Sequence, residues 1–316
     1  WQDGVMTTAF ARLVGCHSPI QLAPVGGGVG TPELALAVCE TGGLGMIHSL
    51  DATPLSDRLA WLRDRTAAPY GVGFFGFHLS HLASDLELAA ATSRVVDVFW
   101  SDPDPDAVMR IHAGGALALW QVGSVDEGLA AADAGCDAVV AQGVEAGGHV
   151  RGTTPLRALL DELVPRLAIP VGAAGGITTG ANVRRALDSG ASAVRVGTRF
   201  LATTESAAHP DYLAALVAAK GEQDTELTTA FHVGWEGAPH RVLRDAIIAA
   251  GSEPSPTAWL GHGTSRAPVE RWSALPPTTS CSGTVTGMAM YAGTGVGEVT
   301  EILSAAEVMQ LLLGVE

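Results

Sequence analysis

Eight short, strongly apolar runs punctuate the chain up to residue 198, and a helix-like segment follows each. They are "PIQLAPV" (19–25), "LGMIHSL" (44–50), "YGVGFFGF" (70–77), "RVVDVFW" (94–100), "ALALWQV" (116–122), "CDAVVAQG" (136–143), "IPVGAAGG" (169–176) and "SAVRVGT" (192–198). Runs this short, without polar alternation, need cover on both faces, which is the condition of a parallel sheet between helices. Eight of them predict an α/β fold, a (β/α)8 barrel. The intervening segments carry matching punctuation. In "TPELALAVCETGG", Pro32 suits a first helical turn and Gly42 a C-terminal cap. "SVDEGLAAADAG" and "TGANVRRALDSG" read the same way.

After the eighth unit the rhythm changes. Residues 209–290 hold helical pieces ("DYLAALVAA", "HRVLRDAIIAAG") and a stretch rich in Pro, Ser and Trp, without strand alternation. The expectation is a mainly helical insertion over one end of a barrel formed by residues 6–208 and 291–316. "EVTEILSAAEVMQLLLG" reads as the helix that closes the ring. "WQDGV" reads as foreign to a natural start at Met6.

Composition narrows the function. With 18 Lys+Arg against 33 Asp+Glu the net charge is −15, which argues against a nucleic-acid surface. No apolar run approaches the length of a membrane span and no signal peptide is visible, so a cytoplasmic protein is expected. Cys16, Cys39, Cys136 and Cys281 show neither CxxC nor metal spacing and read as buried free thiols.

Barrel active sites lie at the C-terminal strand ends, often with phosphate held after strands seven and eight. "GAAGGIT" ends the seventh run with Ala174, Gly175 and Gly176, and "VGTRF" ends the eighth with Gly197 and Thr198. Both turns can offer backbone N–H groups to an anion, the first ahead of a helix at 179–189; ordinary βα turns are the plain alternative. The first turn, "PVGGGVGT", fits neither a dinucleotide nor a Walker pattern and better suits backbone passing over a flat ligand.

His149 stands in "AQGVEAGGHVRG" just after the sixth run, over the barrel mouth. Gly147 and Gly148 leave room beside it, and an imidazole there can act as a base or steady an anion. His48 ends the second run and is a further candidate, while Glu145 can orient His149 or form a surface pair. His78 and His81 share helical spacing without a third ligand, so no metal is expected. Trp235, Trp259, Trp272 and Tyr291 are candidates for an apolar lid. No G-x-S-x-G elbow supports a hydrolase.

At these residues the chain resembles the nitronate monooxygenases, FMN-dependent (β/α)8 barrels. The marks are "PIQLAPVGGGVGTPELALAVCETGGLGMI", "VVAQGVEAGGHVRG", "PVGAAGGITTGANVRRALDSGASAVRVGTRFLATTES" and the tail "AGTGVGEVTEILSAAEVMQLL". The resemblance implies that Ala23, Pro24 and Val25 run along a flavin ring with Gln142, Gly147 and Gly148 beside it. It implies that Gly175, Gly176, Gly197 and Thr198 hold the phosphate, that Ala174 contacts the cofactor, and that His149 meets the substrate. It further implies oxidation of an alkyl nitronate by O2, and it leaves a homodimer open. Enoyl-acyl-carrier-protein reductases using NAD(P)H share the same motifs, and a flavin-binding component acting on a carrier-bound intermediate is the third reading. The chain departs from the family at Gly73, where relatives have Asn, and at Gln121, where they have Lys, both expected at the flavin pyrimidine edge. It also has "AGTG" where a Gln-containing version is frequent.

Overall fold

The computed structural model describes residues 8–261 and 265–314; the expected start at Met6 lies outside the described residues. Each apolar run holds a strand: β1 (Ile20–Leu22), β2 (Gly45–His48), β3 (Tyr70–Phe75), β4 (Val95–Phe99), β5 (Leu117–Val122) and β6 (Ala138–Gln142). A two-residue strand, β7 (Gly148–His149), precedes β8 (Val171–Ala174) and β9 (Ala193–Val196). All but β7 form one parallel sheet in the order β1-β9-β8-β6-β5-β4-β3-β2. The bridge between Gln21 and Leu44 brings its two ends together, so the sheet curls into the expected (β/α)8 barrel.

The strands are buried along nearly their whole length, which explains their unbroken hydrophobicity. Helix Pro32–Glu40 starts as its sequence predicts, with Pro32 in the first turn and the Thr31 hydroxyl accepting from Leu34 N. The eighth unit is different. Its own helix, Thr198–Leu201, is a single turn, too short to cover β9. The C-terminal helix Ala305–Leu313 takes that place, packing beside Pro32–Glu40 and Gly180–Asp188. A capping box between Ser304 and Glu307 starts it, and Ala305, Val308, Met309 and Leu312 are its buried face.

Between these two helices the insertion is mixed, not mainly helical. It holds the helices Pro210–Ala218 and Arg244–Ser252, and also β10 (Thr225–Thr228), β11 (His240–Leu243), β12 (Ala258–Leu260), β13 (Ala267–Val269) and β14 (Cys281–Gly283). The last three form an antiparallel sheet of their own, in the order β13-β12-β14. Strands of three or four residues are too short for alternation to register, so the hairpin pairings β10–β11 and β12–β13 leave no periodic signal. "HRVLRDAIIAAG" divides for that reason: its first four residues form β11, which pairs with β10 on one side and β7 on the other, and only Arg244–Ser252 is helical. Tyr212, Leu216, Phe231, Val242 and Met290 give the insertion an apolar core separate from that of the barrel.

All four cysteines are free and buried, and burial pushes the Cys39 thiol up to about 11. Among the described residues no helix is long and apolar enough to cross a membrane.

Candidate active site

A cavity of about 950 Å³ opens at the C-terminal ends of the barrel strands. It gathers every residue singled out for cofactor contact: Ala23, Pro24, Val25, Gly73, Gln121, Gln142, Gly147, Gly148, Ala174, Gly175, Gly176, Gly197 and Thr198, together with His149 and His48. These positions are spread over strand ends that only closure of the sheet brings together.

The glycine turns after β8 and β9 lie at the mouth, and the helix after the first of them does not begin as the sequence suggested. Gly175 (φ +121°) and Gly176 (φ +65°) adopt backbone conformations closed to most side chains, so β8 ends in a turn that only glycine makes cheaply. The following helix begins at Gly180, and its N-terminus is already capped by Thr179 and Asn182 in a capping box. Any anion therefore falls to the turn itself. The tail completes this wall: Gly293 N donates to Thr198 Oγ1 at 3.1 Å. A Cβ at Gly295 would press on the Gly176 carbonyl at 2.8 Å.

His149 is held by its backbone. The Gln142 side-chain amide donates to the His149 carbonyl at 2.9 Å and accepts from Arg151 N at 3.3 Å, while β7 pairs with His240 and Arg241 of β11. Arg151 fixes the next residues through Glu127 at 2.5 Å and Asp102 at 2.5 Å. Gly148 is needed for its φ of +76°, but Gly147 serves the fold: a Cβ there would strike Gly293 N at 2.5 Å, so the close neighbour is the chain's own tail. In the first turn Gly27 similarly lies against Pro276 of the insertion. Glu145 neither orients His149 nor pairs at the surface; its carboxylate accepts from Leu156 N at 2.9 Å, at the start of helix Leu156–Leu163.

The His149 ring sits among Trp235 (centroids 3.8 Å apart, stacked), His240 (5.3 Å), Tyr291 (5.6 Å) and Trp100 (5.8 Å). Trp100 has a φ of +65°, strain of a kind that clusters at functional sites. Burial first, and then His240, lowers the His149 imidazole to about 3, so it is neutral at pH 7. Its Nε2 lies out of solvent without a partner. His48 is lowered to about 4 by burial and by Arg58; its Nδ1 accepts from Leu50 N at 3.1 Å, which leaves the proton on Nε2. Of the lid candidates, Trp235 and Tyr291 line the cavity, whereas Trp272 packs on Phe231 and Trp259 stacks under Arg266. His78 reaches the cavity from the single turn Gly76–His78, and among the described residues no group of side chains is arranged to hold a metal.

The floor of the cavity was not foreseen. Arg195 reaches across the barrel to Asp97, with Nη2–Oδ1 at 2.6 Å and Nη1–Oδ2 at 3.0 Å, and donates to Gln121 Oε1 at 2.6 Å and Gln21 Oε1 at 3.1 Å. Burial pushes the Asp97 carboxyl up, and the guanidinium pulls it back. The signal was present in "VVDVF" and "AVRV", each with one charge inside an otherwise apolar strand. At Gly73, a Cβ would collide with the Pro24 ring, so the Asn expected there from the resemblance has no room here.

Comparison with known proteins follows the same lines. The nitronate monooxygenase family model matches residues 83–314. The chain is 31% identical to the nitronate monooxygenase of Pseudomonas aeruginosa, over 98% of this chain and 99% of that one. The chain belongs to the nitronate monooxygenase family. It is thus an oxidoreductase. Among solved structures, this family member is similar to nitroalkane oxidase from Streptomyces ansochromogenes, with a TM-score of 0.77, 30% identity and coverage of 96% and 97% of the two chains. It is equally similar in shape to FabK from Thermotoga maritima, with a TM-score of 0.77, 27% identity and coverage of 98% and 96%.

Proposed function

We propose that the cavity binds FMN and that the protein oxidises alkyl nitronates with O2 to carbonyl compounds and nitrite. What supports the reading most is one observation: His149 and the glycine turns after β8 and β9, each singled out separately in the sequence, line the same cavity.

The residues fit the cofactor. Gly175, Gly176, Gly197 and Thr198 would hold its phosphate, Ala23, Pro24 and Val25 would flank its ring, and Gln121 with the Arg195 guanidinium would meet its polar edge. When bound, FMN supplies the electron-transfer chemistry between nitronate and O2. The protein contributes position, exclusion of water and charge.

His149 has a narrower role than general base toward any carbon acid. With the ring covered as here, an imidazole lowered to about 3 is poorly suited to take the α-proton from a neutral nitroalkane, which favours a substrate that arrives ionised. A nitronate arrives already ionised. Its negative charge raises the neighbouring imidazole, which can then share a proton with a nitronate oxygen.

The test is an anaerobic absorption spectrum of the FMN-loaded protein, with propyl-2-nitronate in one cell and NADPH in another. Bleaching by the nitronate alone is the expected result. Rapid bleaching by NADPH alone would assign enoyl-acyl-carrier-protein reductase chemistry instead, and failure to take up FMN would reject both.

A further inference from the structure

We propose that Trp235 is a displaceable plug that occupies the substrate position against His149 and so selects which substrates reach it. The inference rests on His149 being the residue that meets substrate, and it names what guards that residue.

The indole lies on the imidazole with ring centroids 3.8 Å apart and planes 26° from parallel. That is contact distance, so no substrate fits between the two rings. In this arrangement His149 Nε2 is out of solvent and without a hydrogen-bond partner. A polar ring atom sealed in this way is unfavourable by about 1–3 kcal/mol, which substrate could recover by hydrogen-bonding to it. The closed arrangement therefore favours exchange of indole for a ligand.

The chain around Trp235 is built for that exchange. Gly234 (φ +96°) and Gly237 (φ +71°) bracket Trp235 and Glu236, and a Cβ at either would meet nothing within 4 Å. The base of the segment is fixed: Val233 N donates to Trp272 O at 2.9 Å and Ala274 N donates to Val233 O at 2.9 Å. The tip is held by one local backbone bond, Trp235 N to His232 O at 3.0 Å, and its indole by ring contacts, with Phe75 at 4.5 Å, Phe77 at 4.9 Å and Trp100 at 5.2 Å. Phe77 is itself 44% exposed, so the aromatic column leads outward to solvent. An indole that swings out leaves an aromatic-walled space beside His149, suited to an apolar chain on the nitronate carbon.

The remaining titratable groups facing His149 are His240 of β11 and Tyr291; Arg151 is engaged by Glu127 and Asp102. Trp235 is stacked on the imidazole, whereas His240 and Tyr291 are tilted to it at longer distance. Removing the indole thus restores solvent to the imidazole without changing its charged surroundings.

The experiment compares wild type with Trp235→Ala and Trp235→Phe. In ligand-free protein, NMR titration of His149 is expected to move up by more than one pH unit in Trp235→Ala and by less in Trp235→Phe. With FMN bound, KM for hexyl-1-nitronate is expected to fall at least fivefold relative to that for propyl-2-nitronate, while the FMN dissociation constant changes less than twofold. An unchanged His149 titration together with an unchanged KM ratio, in a variant that still binds FMN, overturns the proposal. If the alanine variant does not fold, 5-fluorotryptophan labelling of wild type decides: the Trp235 resonance, assigned by its loss in Trp235→Phe, must shift on saturation with nitronate, and a resonance that stays in place overturns the proposal. If wild type oxidises no nitronate, the titration in ligand-free protein still reads the cover on His149, and only the nitronate reading fails.

Discussion

Arg195 of β9 and Asp97 of β4 meet across the barrel in a two-pronged ion pair, with N–O distances of 2.6 and 3.0 Å, and both side chains are almost wholly buried. Gln21 and Gln121 take up further guanidinium N–H groups, so the ion pair is embedded in a polar layer beneath the cavity, with Gln21 Nε2 left without a partner.

Breaking that pair on one side leaves a buried, uncompensated charge. Arg195→Met is expected to destabilise the fold by roughly 3–5 kcal/mol, whereas Arg195→Met combined with Asp97→Leu should recover most of the loss. Urea denaturation of the three proteins checks this.

His149→Ala is expected to lower nitronate turnover on the order of 100-fold or more, because it removes the group that shares a proton with substrate. FMN binding should change by less than about threefold, since no phosphate-turn residue is touched. Steady-state kinetics beside an equilibrium titration with FMN separates the two effects.

His48 is buried in the neutral form and lowered to about 4, whereas the unfolded chain protonates near the ordinary value of 6.5. Between those two pH values the unfolded state binds more protons than the folded one, so stability present above pH 6.5 is lost as the pH falls toward 4. The contribution is on the order of 3 kcal/mol. Thermal unfolding from pH 7.5 to 4.5 should show a steeper loss in wild type than in His48→Gln.

Gly73→Asn installs the residue expected there from the resemblance, yet it should weaken the protein. The new Cβ meets the Pro24 ring in a packed turn, an overpacking worth about 1–3 kcal/mol. Lower FMN affinity and a lower melting temperature are expected; a gain in FMN affinity would show that Pro24 gives way readily.

Much of the barrel was legible because parallel strands covered on both faces must be continuously apolar, and eight such runs between helices leave few architectures open. The position of His149 and the glycine turns after the seventh and eighth runs was legible for a related reason. On this fold the C-terminal strand ends share one mouth, so sequence position relative to a strand already implies place.

What the sequence left open depends on contacts between distant segments. "HRVL" becomes β11 because it is held between β10, the preceding strand, and the short strand carrying His149, which lies far from it in the chain. Gly147 yields to Ala292 and Gly293, and Glu145 to the helix start at Leu156, for the same reason. Asp97 and Arg195 each read as an anomaly in an apolar strand until the sheet closes and makes them partners. Local periodicity thus determined the elements and the mouth around which they gather. Only the tertiary structure decided which side chains meet there, because those contacts join residues far apart in sequence, and neither element period nor local turn preference carries that information.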